Sequence, residues 1–141
     1  MTEAHRASLE GYLWGVLRIA IGVLFACHGA QKLLGWFPNG HEAELPMQLK
    51  VGGVIELVGG LLFAVGLVTR GAAFVMAGQM AVAYFQFHVA KSWHGIDSIL
   101  PITNNGDDTV LYCFVFLYAI VRGPGPLSLD RKLGLNLVWA S

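Results

Sequence analysis

Of the 141 residues, 55% are hydrophobic and only 13% charged, against roughly 25% charge in an ordinary soluble domain, so the chain reads as an all-α integral membrane protein. Nine basic residues balance nine acidic ones, which excludes a basic surface for nucleic acid or for an acidic partner. Its two cysteines, Cys27 and Cys113, lie in apolar runs without CxxC or zinc-type spacing, which excludes a disulfide framework and a thioredoxin-like motif.

About 20 apolar residues span a hydrocarbon core, so residues 1–141 make one domain with room for four crossings, a four-transmembrane-helix bundle in contact with the lipid bilayer. Length and apolar continuity place the helices at Tyr12–Leu34, Leu49–Val68, Gly71–Ala90 and Asp107–Val121. The first is not read as a cleaved signal, because MTEAHRASLEGYLW carries acidic residues where a basic n-region belongs and no A-x-A-like site follows. The second holds a single charge in its apolar core, Glu56, between the glycine pairs Gly52–Gly53 and Gly59–Gly60; the third holds none. The fourth is short, about 22 Å at 1.5 Å per residue, which draws Asp107 and Asp108 toward the hydrocarbon boundary. Residues 123–141 are expected to form an interfacial tail ending in Trp139. Arg6, Arg70, Arg122, Arg131 and Lys132 fall on one side and Lys32, Lys50 and Lys91 on the other, so the positive-inside rule predicts cytoplasmic termini.

The polar residues within the oily segments carry the functional signal. At about 100° per residue, Arg18, Gly22, His28, Gly29 and Lys32 share roughly a 120° sector of the first helix, an inward, glycine-lined face. Counting depth at about 1.5 Å per residue brings His28 level with Glu56, predicting that the two meet. The same count puts His88 and Asp108 at the outer boundary and Gln79 with Arg18 on the inner half. A lone charge at the bilayer centre costs at least about 2.5 kcal/mol, so such residues face one another and mark a site or pathway. The expected outer-half constellation is His28, Lys32, Glu56, His88 and Asp108, with Tyr84 and Tyr112 as aromatic walls. Arg18 is expected to be satisfied separately by backbone carbonyls, by Gln79 or by snorkelling. Gly22, Gly29, Gly52, Gly53, Gly59 and Gly60 read as close helix contacts rather than a phosphate cradle, since no strand precedes them.

Four readings of the constellation stay open at this level. It is a clamp that fixes helix register; a site for a quinone, whose carbonyls accept hydrogen bonds from His or Lys; a proton or small-ion path; or a haem or metal site. The last is disfavoured because no His/Cys/carboxylate spacing within one helix supports it.

Read together, HGAQKLLGWF, GGVIELVGGLLFAVGLVTRGAAFVMAGQMAVAYF, NNGDDTVLY and GPGPLSLD resemble the DoxX family of small bacterial membrane proteins, from about Arg18 to Asp130. Matching positions are Arg18, His28-Gly29, Lys32, Glu56 and the Gly-Pro-Gly-x-x-Ser-x-Asp run ending at Asp130. One departure is visible: members commonly follow asparagine-glycine with a glutamate, and here Asn105-Gly106 precedes Asp107-Asp108. The resemblance implies a four-helix bundle in the bacterial inner membrane and redox company, since a related protein is the membrane subunit of a thiosulfate:quinone oxidoreductase and others accompany thiol or superoxide-detoxifying enzymes. The expectation is therefore a small inner-membrane subunit of a redox complex that holds a quinone-like or lipid ligand near the outer leaflet or docks a redox protein. The alternatives are direct catalysis as a thiosulfate:quinone oxidoreductase and a purely structural partner-binding bundle. Stand-alone catalysis is disfavoured because the chain shows no reactive cysteine pair and no flavin or nucleotide motif. A homo-oligomer is compatible with each of these readings.

Overall fold

A computed structural model describes residues 2–38 and 45–135, and all regular structure among them is helical. Four long helices dominate: α1 (Glu3–Leu34), α2 (Met47–Val65), α3 (Thr69–Val89) and α4 (Asp107–Arg122). The first three are long and apolar enough to cross a membrane. With 16 residues, α4 is about 24 Å long.

The first helix begins at Glu3 rather than at Tyr12. The Thr2 side chain caps it by accepting from the His5 N–H, and Ala4, Arg6, Ala7, Leu9 and Glu10 are all good helix formers, so the helix runs on past the apolar segment. It stops at Gly35, whose left-handed conformation (φ 64°) needs glycine.

The helices pack in sequence order around a core of Trp14, Phe25, Phe63, Met76, Met80 and Phe116. Phe25 closes the ring by joining α1 to α4, its ring 5.1 Å from Tyr112 and 4.9 Å from Phe116. Between α1 and α2 the backbones nearly touch. A Cβ on Gly22 would stand 2.7 Å from Gly60 O, one on Gly29 2.6 Å from Gly53 O, and one on Gly60 2.6 Å from Ala26 N. Gly53 also faces α1, whereas Gly52 and Gly59 face α3, against Gln79 and Met76. The two glycine pairs thus serve two neighbours at once, which is how small residues let helices associate without a solvent-driven force. Replacing Gly29 by valine is expected to cost about 1–3 kcal/mol through overpacking against rigid backbone, read as detergent melting. Gly78→Ala, where an added Cβ meets nothing within 4 Å, is the matched control and should melt no lower than wild type.

The segment after α4 does not run free as an interfacial tail over its described length, to Leu135. It folds across the ends of α1, α2 and α3. The Trp14 indole N–H donates to Gly123 O at 2.8 Å. Asp130 clamps the α2–α3 turn: Oδ1 accepts from Val68 N–H (2.7 Å), and Oδ2 from Thr69 N–H (2.9 Å) and the Thr69 hydroxyl (2.7 Å). This clamp holds Val68 in the left-handed region (φ 50°), which is costly for a β-branched residue. Trp139 lies outside the described residues.

Candidate functional site

Two helices unwind locally at the site. A π-helical turn interrupts α2 at Ile55–Gly59 and carries Glu56; another ends α3 at Tyr84–Val89 and carries His88. Such turns widen a helix by one residue and re-aim its side chains, and they concentrate at functional positions.

Glu56 is 3% exposed and joins three helices. Its Oε1 accepts from Lys32 Nζ of α1 at 2.5 Å and from Gln79 Nε2 of α3 at 3.0 Å. Gln79 also donates to Gly52 O at 3.1 Å. The remaining acceptors, Glu56 Oε2 and Gln79 Oε1, are buried without a partner among the described residues. Two expectations are corrected here. The partner of Glu56 is Lys32, not His28, which is exposed and stands edge-on to the Tyr112 ring at 6.1 Å. Gln79 is not an inner-half partner of Arg18: it is the middle residue of α3, level with Glu56.

His88 is fixed at both ring nitrogens. Nδ1 lies 3.1 Å from Asn104 O and Nε2 3.2 Å from the Thr109 hydroxyl. A carbonyl can only accept, so Nδ1 carries the proton and Nε2 faces Thr109. Thr109 Oγ1 in turn lies 3.3 Å from Asp108 Oδ1, giving a chain His88–Thr109–Asp108. Tyr84 does not wall the site as expected. It is buried beneath His88, its ring stacked at 6.1 Å, and its hydroxyl is committed to the loop, donating to Ile99 O and accepting from Asn104 Nδ2. It positions the histidine instead.

A cavity of about 250 Å³ is lined by His28, Lys32, Glu56, His88, Asp108 and Tyr112, every residue assigned to ligand contact except Tyr84. Of the two aspartates that open α4, Asp108 is the one on this cavity. A second cavity of about 290 Å³ opens between α2 and α3 beside Val75, Gly78 and Gln79. Lys32, Leu49, Glu56, Ala83 and Phe87 line both cavities, so the Lys32–Glu56 pair stands between them. Among the described residues no group of three His, Cys, Asp or Glu side chains is placed to hold a metal, and both cysteines are free. The arrangement offers donors and acceptors that can hold a small polar head group and exchange protons with it.

A second polar layer lies toward the other end of the bundle. Arg18 is 0% exposed and, among the described residues, donates only to backbone carbonyls: Phe63, Ala64 (2.8 Å), Pro124 (3.0 Å) and Leu127. Asn104 and Thr109, which hold His88, went unassigned in the sequence. The only signal for the first was the Asn-Gly turn that follows it, and for the second its adjacency to Asp108.

A family model described as DoxX matches residues 13–89. An uncharacterized protein of Haemophilus influenzae is 41% identical over 125 residues, which cover 86% of this chain and 90% of that protein. The inner membrane protein YqjF of Escherichia coli is 29% identical over 132 residues, 88% of this chain and 92% of its own. No solved structure matches the chain.

Proposed function

This chain belongs to the DoxX family of membrane proteins, and from that premise we propose that it is a four-crossing inner-membrane subunit of a redox system, holding a quinone-like molecule beside Glu56. The fourth crossing in this reading is α4. Each long helix turns large apolar side chains outward, among them Leu13, Val16, Val58, Phe74, Leu111 and Phe114, a surface suited to lipid rather than water. Similarity to YqjF supports the inner membrane. Cytoplasmic termini follow from the charge bias: a phosphatase reporter fused to the C-terminus should be inactive and one inserted after Pro38 active, and the reverse pattern overturns the orientation.

The observation that carries the ligand reading is the buried Glu56–Lys32 pair at the edge of a cavity. Buried charge is expensive to hold in a bundle, yet here a carboxylate keeps one oxygen without a protein partner among residues able to donate or accept. Lys32, with donors left over, and the Tyr112 hydroxyl suit the carbonyls of a quinone, whose ring would lie against Tyr112 and Phe87. His28 and Asp108, exposed at the cavity mouth, suit a docking redox protein. Organic extraction and absorption spectroscopy of protein purified in native membrane patches should return quinone near one per chain, and much less from Lys32→Ala. Extracts free of quinone overturn this reading. They would favour a second one, resting on the same carboxylate: that Glu56, by tying α1 to α2 and α3, serves only as a clamp.

A further inference from the structure

The hydrogen-bond character of the space between α2 and α3 is more specific than a quinone-like ligand requires. Two buried groups on this groove lack partners, Glu56 Oε2 and Gln79 Oε1, and both are acceptors. Of the donors nearby, Gln79 Nε2 is committed to both Gly52 O and Glu56 Oε1, and Lys32 Nζ, which keeps further N–H groups, reaches Glu56 Oε1 but neither of the two orphaned oxygens. Apart from Gln48, whose amide donates to Gln86 Oε1, the rest of the groove is apolar, with Val51, Ile55, Val75 and Val82 on its walls. Gly78 lines it too, and a Cβ there would meet nothing within 4 Å, so the glycine keeps the groove open. An occupant must therefore bring an apolar body and hydrogen-bond donors on its polar end.

We propose that the α2–α3 groove is the side entrance of the ligand site and takes a lipid-soluble molecule whose hydroxyls donate to Glu56 and Gln79, that is, the reduced, hydroquinone form. This rests on the reading of a quinone-like ligand and adds which redox form the site prefers and by which route it arrives. A quinone offers acceptors only: Lys32 can meet a carbonyl, but Glu56 Oε2 and Gln79 Oε1 stay unpaired.

The test uses a short-chain benzoquinone in oxidised and reduced forms, titrated against the full chain in lipid nanodiscs, the reduced series under anaerobic conditions. Wild type should bind the reduced form at least about tenfold more tightly, the least that one hydrogen bond to a charged acceptor adds. Glu56→Gln, which puts an amide donor in place of one carboxylate oxygen, should bring the preference below about twofold. Gly78→Leu, which fills the groove, should weaken both forms at least about tenfold while leaving the melting temperature no lower than wild type. Equal affinity of wild type for the two forms overturns the donor requirement. Unchanged binding by Gly78→Leu overturns the side entrance and leaves the His28–Asp108 cavity as the route. Binding of neither form by wild type overturns the ligand reading itself. The wild-type and Gly78→Leu comparisons stand even if Glu56→Gln fails to fold.

Discussion

Replacing Lys32 by methionine is expected to destabilise the detergent-solubilised protein by about 3 kcal/mol, at the low end of what breaking a buried ion pair costs. Replacing Glu56 by glutamine should cost only about 1 kcal/mol, the ordinary value of one hydrogen bond. The asymmetry follows from burial. Lys32 is 31% exposed and Glu56 3%, so an abandoned lysine swings its ammonium out along a flexible stem, whereas an abandoned carboxylate stays where it is, with Gln79 as its remaining donor. Removing both charges together, as Lys32→Met with Glu56→Met, should recover stability to within about 1 kcal/mol of wild type, because apolar residues of similar size replace an ion pair at little net cost. Unfolding in graded detergent mixtures measures these three variants on one scale, together with Glu56→Met alone, which closes the cycle with Lys32→Met. Equal losses for the two single variants would remove the burial argument, and additive losses in the double variant would remove the coupling.

Which polar residues gather near Glu56 was legible in the sequence; which of them touch was not. Depth counting placed His28 opposite Glu56, and the glycine contacts agree with that register, since Gly29 meets Gly53 and Leu57, and Gly22 meets Gly60 and Ala64. The count located Cα atoms and ignored the slant of side chains toward the N-terminus of their own helix. In antiparallel neighbours the slants run in opposite directions. Lys32, one turn nearer the end of α1, leans back toward Glu56 while Glu56 leans up toward it, and the lysine is long enough to close the gap. His28 starts level with Glu56 and leans away. The π turns at Glu56 and His88 were also invisible, because a one-residue widening leaves no trace in an apolar run without periodicity.

The three apolar runs of α1, α2 and α3 were plain from length and composition. The fate of the GPGPLSLD segment was not. Its glycines and prolines marked a turn, but a turn has no preferred surface until something supplies donors for its carbonyls. Those donors are Trp14 and Arg18, more than a hundred residues away in the chain. Asp130 was recognisable only as part of a resemblance. Its work on Val68 and Thr69 depends on a contact sixty residues distant that no local pattern encodes.

Arg18→Leu is expected to be the most damaging single change, with a loss of at least about 3 kcal/mol, since three of its four carbonyls, those of Ala64, Pro124 and Leu127, lose their donor at about 1–3 kcal/mol each, while Phe63 O keeps the Gly66 N–H. An apolar isostere can replace an ion network cheaply, but the partners of Arg18 are not side chains. Two of them, Phe63 O and Ala64 O, belong to the last turn of α2, where carbonyls run short of intrahelical donors, Phe63 O having only the capping Gly66 N–H, and a cation is favoured. The other two, Pro124 O and Leu127 O, belong to the segment after α4. The guanidinium therefore ends one helix and fastens another stretch of chain onto it, and no neighbouring substitution can delete a backbone oxygen. Arg18→Lys should fall between, since an ammonium keeps the charge but lacks the planar fork that reaches several carbonyls at once. The loss should be local as well as large: limited proteolysis should cut between Gly123 and Leu135 in Arg18→Leu and not in wild type. A variant that unfolds within about 1 kcal/mol of wild type, its last segment still protected, would mean that water or a shifted helix end replaces the arginine and that the carbonyl hub holds little.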